Sequence, residues 1–315
     1  HDDVTFRCNL VTLSEEENYA DKTMIDYCAG DISSEEAKVL IAYIQKNLGT
    51  GTFRFYNGVS YRHCLVWSKG NPHPGELTPP HDITGKKIAA YIPKGENTAA
   101  LYQFMVKSYD LLEKHPINQK RRACGKRPAN SLWLWGEGQK PALDSFESKF
   151  GLKGSVISAV DLLKGIGICA GMHTCNVPGA TGYIDTNFAG KLQAAVQELQ
   201  NGQDFVYIHI EAPDECGHRG ELANKIYAIE QIDQLILSGL IRALQKMGDH
   251  SILVLPDHPT PLATKTHCAD PVPYFLYRST VQTGSGVSVF DEASAKNTGI
   301  FIQKGDTLMN RFLKR

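Results

Sequence analysis

The sequence lacks the features that would tie a chain of 315 residues to a nucleic acid or to a membrane. Its formal net charge is −1, so it has no surplus of lysine and arginine to bind a phosphate backbone. No apolar run approaches the length of a membrane span, and the N-terminus has neither the basic start nor the apolar stretch of a signal peptide. We therefore expect no nucleic acid partner and no association with a membrane.

Cysteine is present, but not in the patterns that build small disulfide or zinc scaffolds. The eight cysteines are scattered along the chain, and none forms a CxxC pair. This spacing argues against both a zinc ribbon and a disulfide framework. We expect a soluble, reduced protein of the cytoplasm.

The first part of the chain favours an α+β domain, which we place at residues 1–130. A strand-like run opens it, and a helix with Ser33 or Ser34 as its cap and Gly49 after its end follows. The dipeptide Asn57-Gly58 between two apolar runs is typical of a tight hairpin turn. A second amphipathic helix ends before Pro116.

The remainder, residues 131–315, is predicted to be an α/β core. Residues 117–141 are polar and basic, and we interpret them as a linker. Beyond them, strand-like runs alternate with helical patterns, which predicts a mostly parallel sheet covered on both faces. The α+β domain is then an insertion into this core or a cap on it.

Two strand-like runs of the core end in carboxylate and imidazole side chains. The run FVYIHI leads to Asp214 and His218, which share one face if this segment is helical, and SILVLP leads to Asp257 and His258. His267 follows nine residues after His258 and can reach either pair. Because parallel strands end at one edge of a sheet, these side chains predict a site for Mn²⁺, Zn²⁺ or Mg²⁺ that binds an oxyanion.

Long collinear motifs resemble one known family. They include FRCNLVT, YRHCLV, TPPHD, NSLWLWGEG, GSVISAVDLLKGIGICAGM, HIEAPDECGH and LPDHPTP. In this order they are similar to the archaeal-type, cofactor-independent phosphoglycerate mutases of the alkaline phosphatase superfamily. The resemblance extends from Val4 to the C-terminus.

The resemblance implies a metal-binding α/β core with an α+β insert domain, and two divalent metal ions. Mn²⁺ is the metal most expected, with Mg²⁺, Zn²⁺ and Co²⁺ as alternatives. It implies that Asp214, His218 and His267 bind one ion and that Asp257 and His258 bind the other. It also implies cationic and polar groups for a small phosphorylated substrate, at Arg7, Arg62, His63, His81, Asp82, Lys120, Arg121 and Lys164.

The same resemblance implies a phosphoserine intermediate in the interconversion of 3-phosphoglycerate and 2-phosphoglycerate. In the family, a strand ending in Asp-Gly and a segment with the serine nucleophile precede the first of these motifs. The sequence starts almost at that motif, so we expect no nucleophile among these residues, a core without its N-terminal strand, and doubtful activity. Two alternatives stay open: a related metal-dependent phosphotransferase or phosphohydrolase, such as the homoserine kinase-like proteins, and a non-catalytic phosphoglycerate-binding fragment.

Overall fold

The computed structural model describes residues 2–281 and 284–313. The chain divides into two compact units, His1–Pro141 and Ala142–Arg315. The division falls after Pro141 rather than after residue 130, because residues 131–139 form a strand that pairs with the first strand of the chain. Within the described ranges, no helix is both long enough and apolar enough to cross a bilayer.

The first unit is built on an antiparallel sheet. Its strands are β1 (Val4–Leu13), β2 (Met24–Asp26), β3 (Phe53–Tyr56), β4 (Arg62–Trp67) and β5 (Ser131–Gln139). Strand β1 lies in the centre, with β5 on one side and β4 on the other, and β3 follows β4. The short strand β2 pairs with the end of β1. The α+β character predicted for this part of the chain is confirmed.

Helices cover one face of this sheet. They are α1 (Ser34–Leu48), α2 (Ala99–Leu112) and α3 (Pro116–Ala123), with short 3₁₀ turns at Tyr19–Asp21, Pro80–Ile83 and Ile88–Ala90. The hydroxyl of Ser33 accepts a hydrogen bond from the backbone N–H of Glu36 and so caps α1, as predicted. Apolar residues of β1, α1 and α2 pack into one continuous core.

Two sequence predictions for this unit were wrong. The interpretation of residues 117–141 as a linker fails, because this stretch supplies most of α3 and all of β5. The hairpin at Asn57-Gly58 is not a two-residue turn, since β3 ends at Tyr56 and β4 begins only at Arg62. Ser60 holds this longer loop by donating a hydrogen bond to the carbonyl of Ile32.

The second unit contains a parallel sheet and a separate antiparallel pair. The parallel strands are β6 (Gly154–Ile157), β7 (His173–Cys175) and β8 (Phe205–Ile208), in the order β7-β6-β8. Strands β9 (Ser251–Val254) and β10 (Phe275–Arg278) form the antiparallel pair. The α/β class predicted for this unit is confirmed.

Helices connect these strands. They are α4 (Phe146–Phe150), α5 (Asp161–Cys169), α6 (Phe188–Gln200), α7 (Ala212–Arg219), α8 (Leu222–Gln231), α9 (Ser238–Leu244), α10 (Glu292–Asn297) and α11 (Leu308–Leu313). The long helix predicted before β9 consists of α8, the π-helical segment Ile232–Leu237 and α9 in direct succession. Buried residues of α6 and of the π-helical segment form the apolar clusters beside the parallel sheet.

Candidate metal centre

Helix α7 carries the first two candidate ligands just beyond the end of β8. Pro213 occupies the first turn, where its missing N–H costs no hydrogen bond, and Gly220 ends the helix with a φ of +73°. Asp214 and His218 lie four residues apart on this helix, and Oδ2 of Asp214 is 3.3 Å from Nε2 of His218. Their spacing therefore places both side chains on one face.

The other three candidates lie in the loop that follows β9. Nε2 of His267 is 3.4 Å from Oδ1 of Asp214 and 3.0 Å from Nε2 of His218. Nδ1 of His258 is 3.9 Å from the same Asp214 oxygen, and the rings of His258 and His267 have their centroids 3.6 Å apart. Three imidazoles and one carboxylate, carried by one helix and one loop, thus lie together in a single cluster.

The distances within this cluster fit a divalent metal ion. An ion with bonds of about 2.0–2.1 Å keeps neighbouring ligand atoms roughly 3.0–3.4 Å apart in octahedral or tetrahedral geometry. The two Nε2 atoms lie 3.0 Å apart; Oδ2 of Asp214 is 3.3 Å from His218 and Oδ1 of Asp214 is 3.4 Å from His267, so each imidazole faces a different oxygen of the carboxylate. Nδ1 of His218 lies 3.0 Å from the carbonyl oxygen of Lys265, which fixes the ring and leaves Nε2 as the ligand atom.

Asp257 lies at the margin of this cluster. Its Oδ2 is 3.4 Å from Nε2 of His258, and its side chain is 70% exposed, against 25% for Asp214. Asp214, His258 and His267 also satisfy the spacing of a three-ligand metal site, with their ligand atoms within 4.8 Å of one another. Two overlapping ligand sets therefore share the carboxylate of Asp214 and the imidazole of His267.

Thr260 is a residue of this centre that sequence reasoning missed. Its buried hydroxyl donates a hydrogen bond to Oδ1 of Asp214 and lies 3.3 Å from Nδ1 of His258. Gly217 makes this approach possible, because a Cβ there would lie 2.5 Å from the carbonyl oxygen of Thr260. Gly217 lies inside α7, and its role is this close packing.

Neighbouring polar groups of this unit are engaged within the protein. Burial and the nearby Lys191 lower the pKa of His209, and its Nδ1 lies 3.3 Å from the hydroxyl of Ser158. Lys191 is fully buried and donates to the carbonyl of His209, and burial lowers its pKa to about 8. Lys164, a candidate substrate ligand, lies on α5 and donates to Oδ1 of Asn176 at 3.3 Å.

In the first unit, a cationic face forms on one side of the antiparallel sheet. It consists of Arg7, Arg62 and His81 together with the rings of Tyr27, Tyr61 and Trp135. The guanidinium groups of Arg7 and Arg62 lie 4.7 Å and 4.3 Å from the ring centroids of Trp135 and Tyr61. His81 contacts Trp135 and Tyr27 edge to face, at centroid distances of 5.3 and 6.1 Å.

His63 does not belong to this face. Consecutive residues of a strand point to opposite sides of the sheet, so His63 turns towards the core while Arg62 is exposed. Its Nδ1 accepts a hydrogen bond from the N–H of Gly58, and burial lowers its pKa to about 4. The structure therefore separates the predicted substrate-binding pair, because Arg62 is exposed and His63 is buried.

Lys120 and Arg121 on α3 also differ in their exposure. Arg121 is buried, with its guanidinium donating to Glu36 at 2.5 Å and to the carbonyl oxygens of Ala29 and Arg127. These internal acceptors occupy the group and give it a structural role. Lys120 is exposed.

Comparison with known proteins identifies the family. Residues 1–118 match the family described as 2,3-bisphosphoglycerate-independent phosphoglycerate mutase. The chain is 47% identical over 99% of its length to a probable enzyme of this name from Geobacter sulfurreducens, and 46% identical over 99% to one from Methanosarcina acetivorans, covering 77% of each relative.

The chain belongs to the 2,3-bisphosphoglycerate-independent phosphoglycerate mutases. Solved structures agree with this family. A cofactor-independent phosphoglycerate mutase from Thermoplasma acidophilum is 26% identical, with a TM-score of 0.60 over 99% of this chain and 77% of that one. A protein from Pyrococcus horikoshii is 27% identical, with a TM-score of 0.71 over 94% of this chain and 69% of that one.

Membership of the mutase family bears on both the candidate metal ligands and the cationic face. The family resemblance noted from the motifs is confirmed, and the relatives carry the mutase name rather than that of a kinase or a hydrolase. Within the described residues, the signal for the metal ligands lay in strand ends, which the sequence displays. The signal for Thr260 and Trp135 lay in tertiary contacts, which it does not.

Proposed function

We propose that this chain takes part in the interconversion of 3-phosphoglycerate and 2-phosphoglycerate, the reaction implied by the names of its relatives, with two bound divalent metal ions. The observation that carries the proposal is the convergence of Asp214, His218 and His267 at 3.0–3.4 Å. Mn²⁺ suits this mixture of imidazole and carboxylate ligands, with Mg²⁺, Zn²⁺ and Co²⁺ as alternatives.

The proposed ligand sets are Asp214, His218 and His267 for one ion, and Asp257 and His258 for the other. Nδ1 of His258 lies 3.9 Å from Oδ1 of Asp214, so the two proposed ligand sets are neighbours. When bound, such ions supply positive charge that stabilises the oxygens of a transferring phosphoryl group.

The cationic face of the first unit is proposed to bind the anionic oxygens of phosphoglycerate. Guanidinium groups match carboxylate and phosphate oxygens with two parallel hydrogen bonds, and both Arg7 and Arg62 are exposed with their planes supported by aromatic rings. His81 and Asp82, 3.6 Å apart and exposed, can donate to and accept from the substrate hydroxyl. Lys120 and Lys164 are further candidates, and His63 and Arg121 rank behind the exposed groups because both are buried and hydrogen-bonded within the unit.

The proposal concerns groups that bind and orient the substrate. We assign no nucleophile among these 315 residues, and the phosphoserine intermediate stands on the family resemblance. The eight cysteines are free thiols, which supports a reducing compartment such as the cytoplasm. There the reaction serves glycolysis and gluconeogenesis.

Two measurements on the whole chain test the proposal. After chelator treatment, reloading with Mn²⁺ is expected to restore bound metal in the wild type and in the exposed control His73→Ala. The affinity of the chain for Mn²⁺ should fall at least about tenfold in His267→Ala. Equal metal content in His267→Ala and the wild type contradicts the assignment of His267 as a metal ligand.

Phosphorus NMR of 3-phosphoglycerate with the Mn²⁺-loaded chain tests the reaction. The proposal expects the chain to bind 3-phosphoglycerate, and it expects any turnover to give 2-phosphoglycerate without ATP. A product that requires both ATP and homoserine contradicts it and favours a kinase. Binding of phosphoglycerate without turnover favours the non-catalytic fragment.

A further inference from the structure

A second group of metal-ligand side chains lies outside the centre described above. It consists of His173, Cys175 and Glu198, whose ligand atoms all lie within 4.8 Å of one another. Nδ1 of His173 is 2.7 Å from Oε2 of Glu198 and 3.8 Å from Sγ of Cys175. None of these residues contributes to the proposed mutase function.

The parallel sheet and α6 hold this group in place. His173 and Cys175 alternate along β7, so both side chains point to the same side of the sheet. Glu198 comes from α6, and Ser155, the β6 partner of His173, donates its hydroxyl to Oε2 of Glu198 at 2.5 Å. Cys175 packs against Ala195 in the apolar cluster beneath the helix.

The chemistry of the three ligands differs from that of the first centre. A thiolate with an imidazole and a carboxylate is a donor set suited to Zn²⁺, whereas Mn²⁺ prefers oxygen-rich sites. With bonds of about 2.3 Å to sulfur and 2.0–2.1 Å to nitrogen, a tetrahedral ion sets the S···N distance near 3.6 Å. The observed 3.8 Å is close to this value, and the direct His173–Glu198 contact of 2.7 Å has to open for an ion to enter.

The group also leaves room for a fourth ligand. The side chain of His173 is 59% exposed and lines an open pocket of about 220 Å³ together with Lys153 and Gln203. A water molecule bound to an ion at His173 can enter from this side.

A role for Cys175 as a nucleophile does not fit this environment. Burial and the neighbouring Glu198 raise its pKa to about 11, so the thiol keeps its proton at neutral pH. Reactive cysteines have the opposite property, a lowered pKa beside positive charge.

We propose that His173, Cys175 and Glu198 form a second metal site that prefers Zn²⁺ to Mn²⁺ and joins the edge strand β7 to α6. The site is independent of the mutase centre in its residues and in its metal preference. Its occupation stabilises the second unit, because an ion that binds only the folded chain raises folding stability by mass action.

Cobalt substitution tests the thiolate ligand directly. In an Asp214→Asn background, which removes the shared carboxylate of the first centre, Co²⁺ is expected to give the near-ultraviolet charge-transfer band of a cobalt–thiolate bond. Cys175→Ser should abolish the band, and Cys268→Ser, the matched change beside the first centre, should retain it. A band that persists in Cys175→Ser, or Co²⁺ bound without any band, overturns the proposal.

A second measurement tests the site without the Cys175→Ser variant, and it therefore applies if that variant does not fold. In the same Asp214→Asn background, Zn²⁺ should raise the thermal midpoint, whereas Mn²⁺ at equal concentration should not. His173→Ala and Glu198→Gln should weaken Zn²⁺ binding at least about tenfold. Unchanged Zn²⁺ affinity in both variants contradicts the assignment.

Discussion

The hydroxyl of Thr260 donates a hydrogen bond to the Oδ1 atom of Asp214, across 46 positions of the sequence. This bond ties the loop after β9 to the helix after β8, so that the two sources of metal ligands keep a fixed relation. Oδ1 is also the oxygen nearest to His258 and His267, at 3.9 and 3.4 Å. Thr260 therefore orients the carboxylate that lies between these two imidazoles.

Replacing Thr260 by valine tests this orientation. Valine keeps the shape of the side chain but removes the donor, and loss of a partner that orients a metal ligand typically weakens metal binding 10–100-fold. We expect about this loss of Mn²⁺ affinity in Thr260→Val, measured as free Mn²⁺ by electron paramagnetic resonance. Thr260→Ser should retain the affinity of the wild type. Thr264→Val changes an exposed threonine of the same loop and serves as the control. Equal affinity in the two valine variants would show that the bond has no part in metal binding.

The positions of the candidate metal ligands were predictable because their signal is local. An apolar run of β-branched residues followed by Asp and His marks a strand end, and a spacing of four marks one helix face. The structure shows both features at Asp214 and His218. Thr260 gives no such signal, because only the folded chain brings it to Asp214.

The failure of the linker interpretation has a physical cause in α3. Its buried side chains are Asn118 and Arg121, both polar, so no hydrophobic periodicity marks the helix. Asn118 donates to the carbonyl oxygens of Leu112 and Ala129, and Arg121 reaches Glu36 on α1. A basic, polar stretch was thus interpreted as a linker although tertiary hydrogen bonds fold it.

Arg121 provides a sharp test of that structural role. Arg121→Ala leaves Glu36 and two carbonyl oxygens without their donor, and we expect a loss of about 3 kcal/mol in the free energy of unfolding. The adjacent exposed Lys120→Ala should change it by no more than about 0.5 kcal/mol. All three tryptophans of the chain, Trp67, Trp133 and Trp135, lie in the first unit, so tryptophan fluorescence during denaturation reports on it. A similar loss in both variants argues against this assignment.

Arg62 tests the cationic face. Its exposed guanidinium is supported by Tyr61, and a charge-assisted hydrogen bond to an anion is worth about 1.5–3 kcal/mol. We expect Arg62→Ala to weaken the binding of 3-phosphoglycerate at least about tenfold in calorimetry. Arg62→Lys should recover only part of it, because an ammonium group lacks the guanidinium fork. Lys46→Ala on α1 is the control for loss of an exposed positive charge. Equal losses in Arg62→Ala and Lys46→Ala indicate a general charge effect rather than a binding site.

The buried imidazole of His63 is expected to make the stability of the first unit depend on pH. Burial lowers its pKa from 6.5 to about 4, so in this interval the unfolded chain binds a proton that the folded chain does not. Its contribution to stability is therefore fully present above about pH 6.5 and is lost as the pH falls towards 4. The expected loss between pH 7 and pH 5 is about 2 kcal/mol.

Denaturation followed by tryptophan fluorescence measures this pH dependence. His63→Gln, which cannot titrate, should flatten the slope between pH 7 and pH 5, and His73→Gln, at an exposed histidine, should leave it unchanged. The slope is the decisive quantity, because a packing defect in His63→Gln lowers stability equally at both pH values. A wild-type slope retained in His63→Gln would assign the acid sensitivity to other groups and leave the buried imidazole with a packing role alone.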